Sequence, residues 1–246
     1  MVTPFAEPLP LLLLPASLCD RALWRHQIEA LEPRIEIHLG DLTQDDSVAA
    51  MAERLLASIR GPFAVAGLSM GAYVALELVR QAPDRVRKLA LLGATARPDA
   101  PVEGSRRQDL LALRERRAFR GITPPLMALL IHADRLSDAA LTGEIEAMAL
   151  RIGKAAFLRQ LRAIVERPDS RPLLPSIRCP TLILAGREDA LAPLAEQEAL
   201  VAAIPGAKLE ILEKCGHLAP LERPEGVTAC LEAWLGIPPA SARRHS

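Results

Sequence analysis

Ser69 lies in the run Gly67-Leu68-Ser69-Met70-Gly71, between the apolar stretch Phe63-Ala64-Val65-Ala66 and the segment Ala72 to Val79, whose pattern predicts a helix. Strand, sharp turn and helix then follow one another with a serine at the apex. A serine there is forced into a strained backbone conformation, which Gly67 and Gly71 permit because neither carries a side chain. The hydroxyl is pushed out above the sheet. The next helix aims its N-terminus, with unpaired N–H donors and a partial positive charge, at the same spot. One turn therefore offers a nucleophile and an anion site, although a glycine-rich turn that merely reverses the chain remains the plainer alternative.

A serine hydroxyl is a weak nucleophile until a base takes its proton, so a histidine is required. Of the five, His26 falls in a predicted helix, His38 in the alternating run Arg34 to Leu39, His132 at the end of an apolar helix and His245 in a polar tail. All four read as ordinary residues. His217 differs because it follows the alternating strand Lys208 to Leu212 and the turn Cys215-Gly216. That is the carboxyl end of a strand, where ligands bind in open sheets of parallel strands and helices. The acid that would orient it is Asp189, just beyond the apolar run Thr181 to Ala185 and the turn Gly186-Arg187-Glu188. Asp189 could instead be a helix cap, and Glu188 is the backup acid.

These three motifs carry a resemblance to the α/β-hydrolase superfamily, in its small, cap-bearing esterase and lactonase branch. Gly67 to Gly71 matches the family's nucleophile elbow. Gly186-Arg187-Glu188-Asp189-Ala190-Leu191-Ala192-Pro193 matches its Gly-x-x-Asp-x-x-x-Pro loop, and Gly216 to Pro224 its Gly-His-x-x-x-x-Glu-x-Pro block. The order Ser69, Asp189, His217 is the order in which such hydrolases carry their triads. The resemblance implies an α/β-hydrolase fold, a mostly parallel sheet with helices on both faces and an inserted helical cap. It also implies an oxyanion hole formed by the backbone N–H groups of Ser17 and Met70. Here Pro15 and Ala16 stand where the family commonly has histidine and glycine, so the turn is less free than usual. The Ser17 hydroxyl could reach the substrate or be a simple loop group. Only residues 1–8 precede the first strand, and their two prolines discourage an added edge strand.

The 246 residues, half of them apolar, suit one large core with an insertion. Strands are expected near 10–14, 34–39, 63–67, 87–93, 181–186 and 207–212. Between Arg97 and Pro180 only helical patterns occur, with Ser137 as expected N-cap, then Leu141, Ile145, Met148 and Ile152 along one face and Phe157, Leu161 and Ile164 further on. The expected division is a core of 1–96 and 171–237, a cap of 97–170 and a disordered tail of 238–246.

With 30 basic and 30 acidic side chains the formal charge is zero, which argues against nucleic acid as partner. Arg106, Arg107, Arg114, Arg116, Arg117 and Arg120 could meet an anionic substrate or form a solvated helix face. The apolar stretch Leu9 to Leu18 lacks a preceding basic residue and is too short to span a membrane, so no membrane partner is expected. Cys19, Cys179, Cys215 and Cys230 are scattered without metal-like pairing, which fits a reduced cytoplasm and no metal. No cofactor is implied, since side chains supply both nucleophile and base. The expected activity is hydrolysis of a small ester through an acyl-enzyme, with Leu126, Met127, Leu130 and Met148 giving an apolar pocket. The alternatives are a lactonase resembling enol-lactonases and, from another class, a triad-bearing small-molecule receptor with slow turnover.

Overall fold

The computed structural model describes residues 9–98, 119 and 121–238. Its sheet has six strands: β1 (Leu11–Leu14), β2 (Ile37–Leu39), β3 (Phe63–Leu68), β4 (Val86–Leu92), β5 (Thr181–Gly186) and β6 (Lys208–Leu212). They lie in the order β2-β1-β3-β4-β5-β6, every pair parallel. All six follow the expected runs. The central strands β1, β3 and β5 are buried along their whole length, as continuous apolar runs in a sheet covered on both faces must be.

Helices α1 (Arg25–Leu31), α2 (Val48–Ser58) and α3 (Met70–Gln81) separate the early strands. Alternation of side chains along each strand sorts the core into two layers. Leu11, Leu13, Ala64, Ala66, Leu68, Ala90, Leu92, Leu182 and Leu184 join one apolar cluster with Trp24 and Ile28. Leu12, Leu14, Val65, Leu89, Leu91 and Ile183 join the other with Met51 of α2 and Val74 and Leu78 of α3. Each such leucine, fully buried, contributes about 1.5–3 kcal/mol.

Between β4 and β5 the described residues carry α4 (Pro124–Leu130) and α5 (Ala139–Val165), with no strand among them. α5 breaks at Gly153, whose φ of 72° and ψ of 173° are not helical. The Ser137 expectation needs correction. Asp138 is the N-cap, its Oδ1 accepting from Leu141 N at 3.1 Å while Arg135 Nη2 holds Oδ2 at 2.8 Å. An ionised carboxylate both caps the helix and pairs with a guanidinium, which a serine cannot do. Leu141, Ile145, Met148, Phe157, Leu161 and Ile164 are buried as their spacing predicts.

After β5 come α6 (Leu194–Ala203), β6, the short α7 (Ala219–Glu222) and α8 (Pro224–Leu235). No helix among the described residues is long and apolar enough to cross a membrane. The arginine cluster of residues 106–120 and the tail beyond 238 lie outside the described residues, as does His245.

Candidate active site

The elbow is built as its glycines predict. Ser69 holds φ 55° and ψ −114°, a conformation that costs a residue with a side chain about 1–3 kcal/mol. Its N–H donates to Leu92 O at 2.9 Å, and its own carbonyl accepts from Ala72 N at 2.9 Å, so β4 and α3 clamp the turn from both sides. A β-carbon on Gly67 would sit 2.3 Å from Gly71 O, and one on Gly71 would sit 2.4 Å from Leu14 O. Strand, helix and the end of β1 thus approach too closely for any side chain. Ser69 is part-exposed in an otherwise buried segment and sits immediately before the N-terminus of α3.

Asp189 and His217 come from the loops after β5 and β6, which pair in parallel and so deliver both loops to the same edge. His217 Nδ1 lies 2.8 Å from Asp189 Oδ2, with both side chains buried. The other carboxylate oxygen accepts from Leu191 N at 2.8 Å and Ala192 N at 2.9 Å. The helix-cap alternative for Asp189 needs correction: α6 starts at Leu194 with Pro193 as its N-cap, and the Asp189 carboxylate closes the loop before it while also facing the imidazole. Glu188 points elsewhere, its Oε2 accepting from Cys215 N at 2.9 Å. The backup acid closes the loop and does not face the ring.

The missing link between Ser69 and this pair is Gly93, directly after the carbonyl that anchors the Ser69 N–H. At φ 50°, a β-carbon here would lie 3.0 Å from Asp189 Oδ2 and 3.1 Å from His217 Nδ1 and Cε1. The elbow and the Asp–His pair thus meet across one glycine. Among the described residues no hydrogen bond joins the Ser69 hydroxyl to the imidazole, and such bonds often tighten only once substrate is bound.

The backbone N–H groups of Ser17 and Met70 make no hydrogen bond to a protein acceptor among the described residues. Ser17 precedes Leu18, which holds φ 62° in a turn closed by Cys19 N to Ala16 O at 3.1 Å. The Ser17 hydroxyl donates to Gln160 Oε1 at 3.0 Å, so it is engaged with α5.

Glu222 lies within the block Gly216 to Pro224, but its role is set by tertiary contacts. Glu222, buried, accepts from His132 N at 2.7 Å and Gly216 N at 3.0 Å, tying the end of α4 to the loop that carries His217. Burial pushes its carboxyl above the ordinary carboxylate range, against the pull of those two N–H groups and of Arg135. His217 N and Leu218 N both donate to Leu130 O at 3.0 Å, a second tie between the same segments. In the sequence, the Gly-His-x-x-x-x-Glu-x-Pro spacing alone singles out Glu222.

The other three described histidines serve local structure. His132 Nδ1 accepts from Asp134 N at 3.1 Å, His26 Nε2 accepts from Arg25 Nε at 3.1 Å, and His38 Nε2 sits 3.0 Å from Glu36. Cys215, close to His217, is buried and its thiol is pushed far up by that burial, while burial raises Cys19 to about 12. Neither thiol is a ready nucleophile. No cluster of His, Cys, Asp or Glu suited to a metal occurs among the described residues. Met127 and Met148 are buried in the cluster that also holds Leu218, with Leu126 and Leu130 packed against it.

Known proteins share this arrangement of chain. A family model described as Alpha/beta hydrolase family matches residues 11–229. A pimeloyl-[acyl-carrier protein] methyl ester esterase of Nitrosomonas europaea is 28% identical over 227 residues, 86% of this chain and 89% of that protein. One of the same description from Neisseria meningitidis is 32% identical over 189 residues, 74% of this chain and 72% of its own. Among solved structures, a thermophilic esterase from Thermogutta terrifontis, with malate bound, superposes with a TM-score of 0.85 at 31% identity, covering 93% of this chain and 89% of that one. An enol-lactonase from Burkholderia xenovorans shares the fold at a TM-score of 0.80 and 20% identity, covering 95% and 94%. With the match running from the first strand of the sheet into its last helix, the chain belongs to the alpha/beta hydrolase family.

Proposed function

We propose that this protein is a serine hydrolase that cleaves a small carboxylic ester through an acyl-enzyme intermediate. The coarser statement, an ester hydrolase of the α/β-hydrolase type, follows from the family and from esterases at 31% and 32% identity. The observation that carries the finer reading is the 2.8 Å contact of His217 Nδ1 with Asp189 Oδ2. A carboxylate on Nδ1 fixes the proton there and leaves Nε2 as the basic nitrogen.

In this reading Ser69 Oγ attacks the ester carbonyl while His217 Nε2 takes its proton. Asp189 holds the imidazole in that tautomer and stabilises the imidazolium. The N–H groups of Ser17 and Met70 receive the tetrahedral oxyanion, each contributing on the order of 3 kcal/mol to lowering the barrier. The oxyanion collapses, the alcohol leaves with the proton from His217, and Ser69 is left acylated. Water, deprotonated by His217, then attacks the acyl carbon and releases the acid.

In this reading residues 97–170 act as a helical cap over a core of 1–96 and 171–237, with the part-exposed Leu126 and Leu130 supplying the apolar side of the substrate site, while Met127 and Met148, also expected there, are buried in the core instead. Short to medium acyl chains suit such a surface. The test is a panel of methyl, ethyl and nitrophenyl esters, lactones and thioesters, assayed with wild type and Ser69→Ala. Multiple turnover of acyclic esters, lost in Ser69→Ala, is expected. Hydrolysis of none of them by wild type defeats the esterase reading, a marked preference for lactones moves it to lactonase, and a burst without steady state moves it to a receptor.

A further inference from the structure

Gln160 lies on α5 and is fully buried, 142 residues from the nearer of the two groups it grips in the turn after β1. Its Oε1 accepts from both Ser17 Oγ and Leu18 N, each at 3.0 Å. Its Nε2 donates to Leu42 O at 3.2 Å, beyond β2, which leaves the amide no freedom to flip. One side chain from the inserted segment thus holds Ser17 by its hydroxyl and by the peptide that follows it.

The turn needs such a grip. Leu18 holds φ 62° at the third position of a four-residue turn, where glycine is normally required, and a side chain there costs about 1–2 kcal/mol. Ala16 has replaced the glycine of the pattern this chain resembles, so the backbone has no soft residue to absorb that strain. A buried Leu18 N–H without an acceptor would add a desolvation cost of about 1–3 kcal/mol. Gln160 satisfies that N–H only while the turn keeps its strained shape. We infer that Gln160 is a positioning residue for the oxyanion hole: the inserted helix α5, through this amide, sets the direction of the Ser17 N–H. The inference rests on the reading of Ser17 as an oxyanion donor. It adds that the insertion takes part in catalysis and does more than cover the substrate.

Gln160→Met keeps length and volume and removes the acceptor. A displaced donor of this kind costs about 100-fold in rate. With p-nitrophenyl butyrate, kcat is expected to fall about 100-fold with KM within about twofold of wild type. The affinity for phenylboronic acid, which forms a tetrahedral adduct on the serine, should fall by a comparable factor, because transition-state mimics need the hole and ground states do not. Gln160→Glu guards against a Met variant that fails to fold. At about pH 6 its buried carboxyl stays protonated, presents one acceptor oxygen and one O–H, and should keep kcat within about fivefold of wild type. A Gln160→Met enzyme with kcat within threefold of wild type, a kcat loss without any loss of boronate affinity, or a folded Gln160→Glu enzyme at least 50-fold slower than wild type at that pH would each overturn the inference. Ser69→Ala separates the two levels. If it matches wild type, the underlying reading falls; if it is inactive while Gln160→Met is unimpaired, only the role of Gln160 falls.

Discussion

Gly93 stands where any β-carbon would lie 3.1 Å from His217 Nδ1, so the ring is packed directly against the backbone of the loop that follows β4. The carbonyl just before it, Leu92 O, takes the Ser69 N–H. Gly93→Ala should therefore disturb the candidate nucleophile and base together. The new methyl group must displace the imidazole or Asp189 by a few tenths of an ångström, and φ 50° adds about 1–2 kcal/mol of strain. We expect kcat to fall about 100-fold, with unfolding in urea shifted by roughly that strain energy. Wild-type turnover in this variant would show that the ring has room the structure denies it.

Asp189→Asn separates the two jobs of one carboxylate. The amide oxygen can keep the N–H groups of Leu191 and Ala192, while Nδ2 replaces Oδ2 opposite His217 Nδ1. A donor there forces the imidazole proton onto the other nitrogen, and turnover should fall by about 10⁴, as in serine proteases, with little change in melting temperature. Glu188→Gln provides the contrast. Its oxygen can still accept from Cys215 N, so activity should stay within severalfold of wild type. If Glu188→Gln is the slower of the two, the acid has been misassigned.

The elbow glycines should tolerate no side chain. In Gly71→Ala the methyl group would meet Leu14 O at 2.4 Å and Pro15 O at 2.8 Å, both backbone atoms of a buried strand and its turn. Backbone cannot rotate away as a side chain can, and overpacking of this kind costs about 1–3 kcal/mol or more. Loss of activity together with a lowered urea midpoint is expected. An active, equally stable Gly71→Ala protein would contradict the tight approach of α3 to β1.

How far the molecule is legible from its residues follows from which interactions are local. The strands stand out because runs such as Leu11 to Leu14 and Thr181 to Ala185 can be buried on both faces only inside a parallel sheet. Asp189 and His217 can be read as neighbours because each ends a strand, and β5 pairs with β6. Gln160 is hidden, since between Arg159 and Arg162 it looks like one more polar position on a helix, and only tertiary contact buries it. Gly93 looks like any glycine after a strand. Ser137 and Asp138 are both good caps by residue type, and what selects Asp138 is its pairing with Arg135 three residues earlier, a local contact that follows from Arg135 lying in the short turn before the helix. The engagement of the Ser17 hydroxyl with Gln160, by contrast, is non-local and has no signature in the sequence.

Glu222 yields a prediction whose sign is fixed by its surroundings. Burial raises its carboxyl above the ordinary value of 4.5. The folded chain therefore holds this proton more tightly than the unfolded chain does. Stability from this group is fully present below the unfolded value and declines as pH rises through the raised folded value, above which it levels off. Glu222→Gln carries no titrating proton, so that part of the slope should vanish. Near neutral pH the variant should also be less stable by about 1–3 kcal/mol, since an amide offers an acceptor to only one of the two N–H groups, those of His132 and Gly216, that the carboxylate satisfies. Gly216 adjoins His217, so a modest drop in kcat, about tenfold, should accompany it. Urea denaturation of both proteins from about pH 4 to pH 8 checks the sign. If the difference in stability between wild type and variant grows in favour of wild type as pH rises from the unfolded value, the carboxyl is held as an anion by its two N–H donors, and burial is not the dominant influence on it.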